Sequence, residues 1–254
     1  MTNKQFKQRL LQLQEVIMRA LAFYAVWNKL QLHDHKEVSW SLDQQNRILG
    51  QWNGFFMPVS IALQDMAMLQ FAKVFDTNPR TASLYVLLRE AERDRRLVPH
   101  AAPEFLSDAK AKLQQAEATY QAIKKLRDQR IAHTDANPKV LPPLMNRNVE
   151  SLCEDIKHVF NQLASAHDRN FYSWDFALRT SVSETTDILR LLLAEIDRKD
   201  THHDQQMVEI GVGHVRDMET RIGRPLAGDE LESALGQLGL TPGQADRIRI
   251  QLGQ

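Results

Sequence analysis

The sequence predicts an all-α protein made of a large helical domain and a small C-terminal helical appendage. Three observations carry this expectation. Apolar residues recur at helical spacing along most of the chain. No convincing alternation of the kind a strand needs is present. Glycine and aromatic residues also divide the chain. Eight of ten glycines fall at or after Gly211 and residues 55–210 contain none, while all eighteen aromatics lie at or before Phe176. Glycine weakens a helix by about 1 kcal/mol and large rings fill cores, so the two stretches differ in kind. The expected division is a domain over residues 1–198 and an extension over 199–254.

Each element follows from local pattern. Residues 3–32 carry Leu10, Leu13, Ile17, Leu21, Tyr24 and Trp27 at near-3.6 spacing. A second helix is expected from Leu42 to Phe75, with a kink or break near Phe56–Pro58 because Gly50, Gly54 and Pro58 fall inside it. A third should run from Thr81 to Arg95, after the turn residues Asp76-Thr77-Asn78-Pro79. The fourth, Pro103 to His133, bears a stripe at Leu106, Ala109, Leu113, Ala116, Tyr120 and Ile123 and stops before Asn137-Pro138. Two more are expected at Met145–His167 and Ser183–Arg198. In the extension, Gly228–Leu238 is one short helix. Thr241-Pro242-Gly243-Gln244 opens another, with the spacing of a capping box and proline at the first helical position. The two form a docked hairpin or half of a helix-turn-helix. The hairpin is the simpler reading, because Gln244 and Arg247 are the only side chains suited to reading DNA.

Composition narrows the function. The chain has 254 residues, 32 basic and 32 acidic, so it is not a globally basic nucleic-acid binder. Charge divides with glycine: 26 basic and 23 acidic residues through 198, then 6 and 9. The lone Cys153 makes neither an intramolecular disulfide nor a cysteine-based zinc site and points to a reducing compartment. The longest apolar run, Ala20–Trp27, is eight residues, against the roughly 20 of a membrane-spanning helix. With no leader-like apolar stretch at the N-terminus, a cytoplasmic protein without membrane contact is expected.

One segment concentrates chemistry: Lys124-Lys125-Leu126-Arg127-Asp128-Gln129-Arg130-Ile131-Ala132-His133. A histidine at a helix C-terminus is favoured as the imidazolium and exchanges protons near neutral pH. Arg127 or Arg130 can hold a phosphate by paired hydrogen bonds, and Asp128 can orient either one. These parts suffice to cleave RNA by attack of the 2′-hydroxyl, without metal or cofactor. Spacing alone fits a solvated basic helix end better.

The wider context separates these readings. An arginine, a polar residue and then a histidine near the end of a long helix, in an all-helical domain, resembles the HEPN superfamily. The string LRDQRIAHTD is similar to the motif of the AbiU-type (abortive-infection) HEPN domain, and FAKVFDTNPRTASLYVLL resembles an earlier segment of that family. The resemblance covers about 30 residues directly, and order and spacing agree over roughly 10–195. It implies an antiparallel HEPN-type bundle that dimerises so that two motifs face one cleft. It further implies a metal-independent endoribonuclease of toxin–antitoxin or phage-defence systems, with an antitoxin protein as a further partner. By position, Arg127, Asp128 and His133 are the catalytic residues, Lys124, Lys125 and Arg130 the RNA-binding ones, and Asp76 an auxiliary. Ser83 and Leu84 also fall on the family pattern. Some members have lost activity and bind a protein partner or nucleotide instead. Some HEPN toxins carry a tyrosine two residues after the histidine, which a partner enzyme modifies with AMP; Asp135 stands there in this chain, so that control is not expected.

Arg127 and His133 are six residues apart, about 120° around an ideal helix. Either the helix end is distorted, or Arg127 of one chain works with His133 of the other. Elsewhere, His33-Asp34-His35 and His202-His203-Asp204 read as solvated loops. Arg89, Arg93, Arg95 and Arg96, interleaved with acids, read as a charged solvent face. Tyr120 and the four tryptophans read as core or interface residues, and Cys153 as inert.

Overall fold

A computed structural model describes residues 1–31, 41–129 and 146–253, apart from the side chains of Phe176 and Ala177. Among the described residues there are helices and no strands. They form two compact units, Met1–Ile188 and Leu189–Gln254.

The first unit is built on four long helices. Helix α1 (Asn3–Lys29) opens on a capping box between Thr2 and Gln5. Its expected stripe, Leu10 to Tyr24, is buried, and Trp27 packs beside it half-covered. Helix α2 (Leu42–Gln51) begins on a second capping box, Ser41 with Gln44. Helix α3 (Asn53–Val74) follows at once. The break falls at Trp52, whose φ of −119° and ψ of 36° are not helical, and not at Phe56–Pro58. The amides of Phe55 and Phe56 bond back to the Trp52 carbonyl. The helix therefore restarts ahead of Pro58, which is its sixth residue and leaves the Gly54 carbonyl without its helical donor.

Helix α3 is long and apolar enough to cross a membrane by length and composition. Its second half, including Met68, Phe71 and Val74, is core of this unit, whereas Phe55, Met57 and Ile61 are exposed. Helix α4 (Leu84–Arg93) starts on Ser83, and a short 3-10 turn (Arg95–Leu97) follows it. Helices α5 (Phe105–Arg127) and α6 (Asn146–Asp168) complete the bundle.

Contacts set the directions. Gln31 bonds Ser60 while Tyr24 meets Phe71, so α1 and α3 are antiparallel. Lys7 pairs with Asp168 and the Tyr24 hydroxyl donates to the Asn146 carbonyl, which makes α1 and α6 antiparallel. Tyr85 meets Glu117 and Glu92 meets Lys110, which does the same for α4 and α5. The whole α5 stripe is buried, as its spacing requires. Trp174 closes the core edge-on against Phe160, ring centroids 5.2 Å apart.

Helix α7 runs unbroken from Trp174 to Ile222, far beyond the expected Ser183–Arg198. His202, His203 and Asp204 are therefore helical, not in a loop. Helices α8 (Asp229–Gly236) and α9 (Pro242–Leu252) belong with the later part of α7 to the second unit. Its core is wholly aliphatic: Val208, Val212, Val215, Leu226, Leu231, Leu235 and Ile248, with Ala234. Gly211 explains why the helix tolerates glycine, since a Cβ there would collide with the Ile248 side chain of α9. The Thr241–Gln244 capping box forms as its spacing predicts. The Gln244 amide donates to Asp204 at 2.7 Å, and Arg247 pairs with the same carboxylate. The two side chains suited to DNA thus secure α9 to α7.

Candidate active site

The C-terminal turns of α5 carry the described half of the basic motif. Leu113, Glu117, Tyr120, Lys124 and Arg127 follow one another at intervals of three and four, a single stripe of the helix. The inner members pack and the later ones emerge at its end. Tyr120 is buried and stacks on Phe75, ring centroids 4.7 Å apart. Arg127 is half-buried, and its Nε donates to Asp128 Oδ1 at 2.8 Å; a terminal nitrogen reaches the same oxygen. Among the described residues Asp128 is thus paired with Arg127. The Asp128 amide is shared between the Lys124 and Lys125 carbonyls, and the winding becomes π-type at Asp128 and Gln129. Lys124 is half-buried and Lys125 exposed, and among the described residues neither ammonium has a partner. Arg130, His133 and Asp135 lie outside the described residues.

Asp76 comes to this end of α5 from the turn between α3 and α4. Its carboxylate accepts the Asn78 amide at 2.9 Å, Asn78 in turn accepts the Arg80 amide at 3.0 Å, and Arg9 on α1 holds the Pro79 carbonyl at 2.9 Å. The Ser83 hydroxyl donates to the Asp76 carbonyl while capping α4 at Val86. Asp76 is thus a turn residue held by the Asn78 amide and the Ser83 hydroxyl, in a turn that Arg80 and Arg9 brace.

The electrostatics show what meets there. Burial raises the Tyr120 phenol above its ordinary range, the Arg127 charge opposes this, and Glu117, Asp76 and Asp128 add to it. One arginine and three carboxylates therefore act on a single phenol. Tyr85 is pushed up more strongly, first by burial and then by its hydrogen bond to Glu117 at 2.6 Å. Both phenols stay neutral across the working pH range, so Tyr85 is a fixed donor. The other Glu117 oxygen accepts the Gln121 amide at 2.6 Å. Glu117 had no place in the sequence reading, although its spacing from Arg127 puts it on the motif's own stripe. Tyr85 carried no local signal, because only the packing of α4 on α5 brings it there. Cys153 lies deep in α6, and burial raises its thiol to about 12, which leaves it unreactive.

The arrangement can bind an anion on Arg127, with Lys124 and Lys125 adding positive potential at the helix end. The family model of the HEPN-type AbiU2 domain matches residues 4–185 of this chain. No curated protein and no solved structure matches it.

Proposed function

The chain belongs to the AbiU2 family of HEPN domains, and from that premise we propose that it is a metal-independent endoribonuclease whose sites lie at a homodimer cleft. The observation that carries this reading is the Arg127–Asp128 pair. Asp128 holds the guanidinium at the exposed end of a rigid core helix, six residues before His133. In the proposed step His133 takes the 2′-hydroxyl proton and the oxygen attacks the adjacent phosphorus. Arg127 stabilises the pentacovalent phosphate, and the protonated imidazole of His133 returns its proton, directly or through water, to the departing 5′-oxygen. The products carry 2′,3′-cyclic phosphate and 5′-hydroxyl ends. Lys124, Lys125 and Arg130 hold the flanking phosphates, and Asp76 helps to place Arg127. The family points to a defence or growth-arrest role in the cytoplasm, with an antitoxin protein as partner. The domain of residues 1–198 carries the chemistry, and the extension is accessory to it.

The test is incubation of the purified protein with mixed RNA in excess EDTA. Wild type should cleave and leave cyclic phosphate ends, while His133→Ala and Arg127→Ala should each abolish cleavage without loss of helicity or of the dimer. If the site takes one residue from each chain, mixing the two variants should restore roughly a quarter of the activity, since half the dimers hold one complete site. If one chain supplies both residues, mixing restores nothing. An intact, dimeric protein that cleaves no RNA would leave a silent HEPN module, which binds a protein or nucleotide partner.

A further inference from the structure

Helices α4 and α5 leave a cavity of about 500 Å³ between them, within the size range of small-ligand sites. Its construction follows from two antiparallel faces. Tyr85 bonds Glu117 at one end, and Glu92 bonds Lys110 at the other, at 2.6 Å in each case. The separation is seven residues on each helix, a slot about 10 Å long at 1.5 Å per residue. Leu88 and Leu113, both buried, form its floor. Arg89 and Gln114, both exposed, stand along its walls.

The charges are not balanced locally. Glu92 and Lys110 neutralise each other, but Glu117 is held only by neutral donors, Tyr85 and Gln121. Each of its oxygens keeps a lone pair free. Among the described residues the Arg89 guanidinium has no partner, although Arg93 and Arg96 on the same segment are paired with Glu90 and Asp94. The slot therefore offers an apolar floor, a neighbouring aromatic ring, one carboxylate without a counter-ion and one free guanidinium.

We propose that this slot binds a guanine nucleotide of single-stranded RNA, with Glu117 reading the base and Arg89 holding its phosphate. Guanine alone among the four bases presents two parallel donors, N1–H and N2–H₂, on its pairing edge, which is what a carboxylate with one lone pair free on each oxygen accepts. Adenine and cytosine offer an acceptor beside their amino group, and uracil sets two carbonyls around one N–H. Glu117 and Arg127 lie ten residues apart on one stripe of α5, about 15 Å along the axis. The guanine thus sits a few nucleotides from the phosphate that Arg127 would hold. Its assignment to RNA rests on the ribonuclease reading; the base preference does not.

The experiment measures binding, not cleavage. Full-length protein is titrated calorimetrically with GMP, AMP, CMP and UMP. GMP should bind at least tenfold more tightly than the other three. Glu117→Gln keeps an acceptor for Tyr85 but presents an amide donor to the base, and it should erase the preference. Arg89→Ala should weaken GMP about tenfold and leave guanosine unchanged. Gln114→Trp, at an exposed position, should fill the slot and abolish binding with no loss of thermal stability. A guanine-containing single-stranded oligonucleotide should displace GMP, and one lacking guanine should not. Equal affinity for the four nucleotides, no saturation by millimolar GMP, or an unchanged Glu117→Gln overturns the proposal. Failure of the oligonucleotide to compete overturns the RNA assignment. Guanine binding without any cleavage would sink the ribonuclease reading while the slot stood.

Discussion

Asp128 acts on Arg127 through a contact between sequence neighbours, a pairing that helix geometry does not normally favour. It forms here at the end of α5, where both side chains are only partly covered. An exposed pair of this kind adds little to stability, so its value lies in aiming the guanidinium. Asp128→Asn keeps the shape and weakens the hold. It should lower RNA cleavage on the order of tenfold to a hundredfold, as misplacing a catalytic group does. Urea unfolding should stay within about 0.5 kcal/mol of wild type. A loss of stability in proportion to activity would make Asp128 a structural residue.

At the scale of elements, the turn between α3 and α4 ties the site to the core. Ser83 is fully buried and serves twice, accepting the Val86 amide as the cap of α4 and donating to the Asp76 carbonyl. Ser83→Ala removes both bonds and leaves a buried carbonyl unsatisfied. The expected cost is about 1–3 kcal/mol in urea unfolding. Cleavage should fall with it at temperatures where the protein is still folded, because Asp76 loses one of the two bonds that hold it. The groove between α4 and α5 belongs to this scale as well: neither helix alone has a slot, and each contributes one face of it.

At the scale of the whole molecule, the aliphatic C-terminal unit is pinned by charge at its edges. Hydrogen bonds from Arg247 and Gln244 hold the Asp204 carboxyl below the usual range, and the bond from Arg224 does the same for Glu230. A carboxylate whose pKa is depressed by folding contributes stability that is fully present above its ordinary value and is lost as pH falls through the depressed one. Glu230 is exposed and Asp204 partly so, and each effect is modest and screened by salt. The C-terminal unit should therefore loosen as pH drops below about 4. Hydrogen exchange on α9 should report this, and Asp204→Asn should flatten the pH dependence there. An α9 whose exchange ignores both pH and that substitution would show that the aliphatic core holds it unaided.

Most of the architecture was legible because a helix advertises itself locally. The stripes on α1 and α5, the Thr241–Gln244 cap and the absence of strand alternation are all short-range features of the chain. The loss of aromatics after Phe176 marked a change in the kind of chain, and the core of the second unit is aliphatic. The motif containing Arg127 and Asp128 was visible for the same reason. The places that misled were those where a local signal has several solutions. Gly50, Gly54 and Pro58 all mark a break, and packing put it at Trp52. The helix expected to end at Arg198 continues to Ile222, and Gly211 within it makes room for Ile248. What only the tertiary structure decided is which residues from different helices meet: Phe75, next to Asp76, on Tyr120, and Tyr85 on Glu117 across an open slot. The physical reason is range. Periodicity records which face of a helix turns inward, but the partner that face meets depends on turns and packing distributed over the whole bundle.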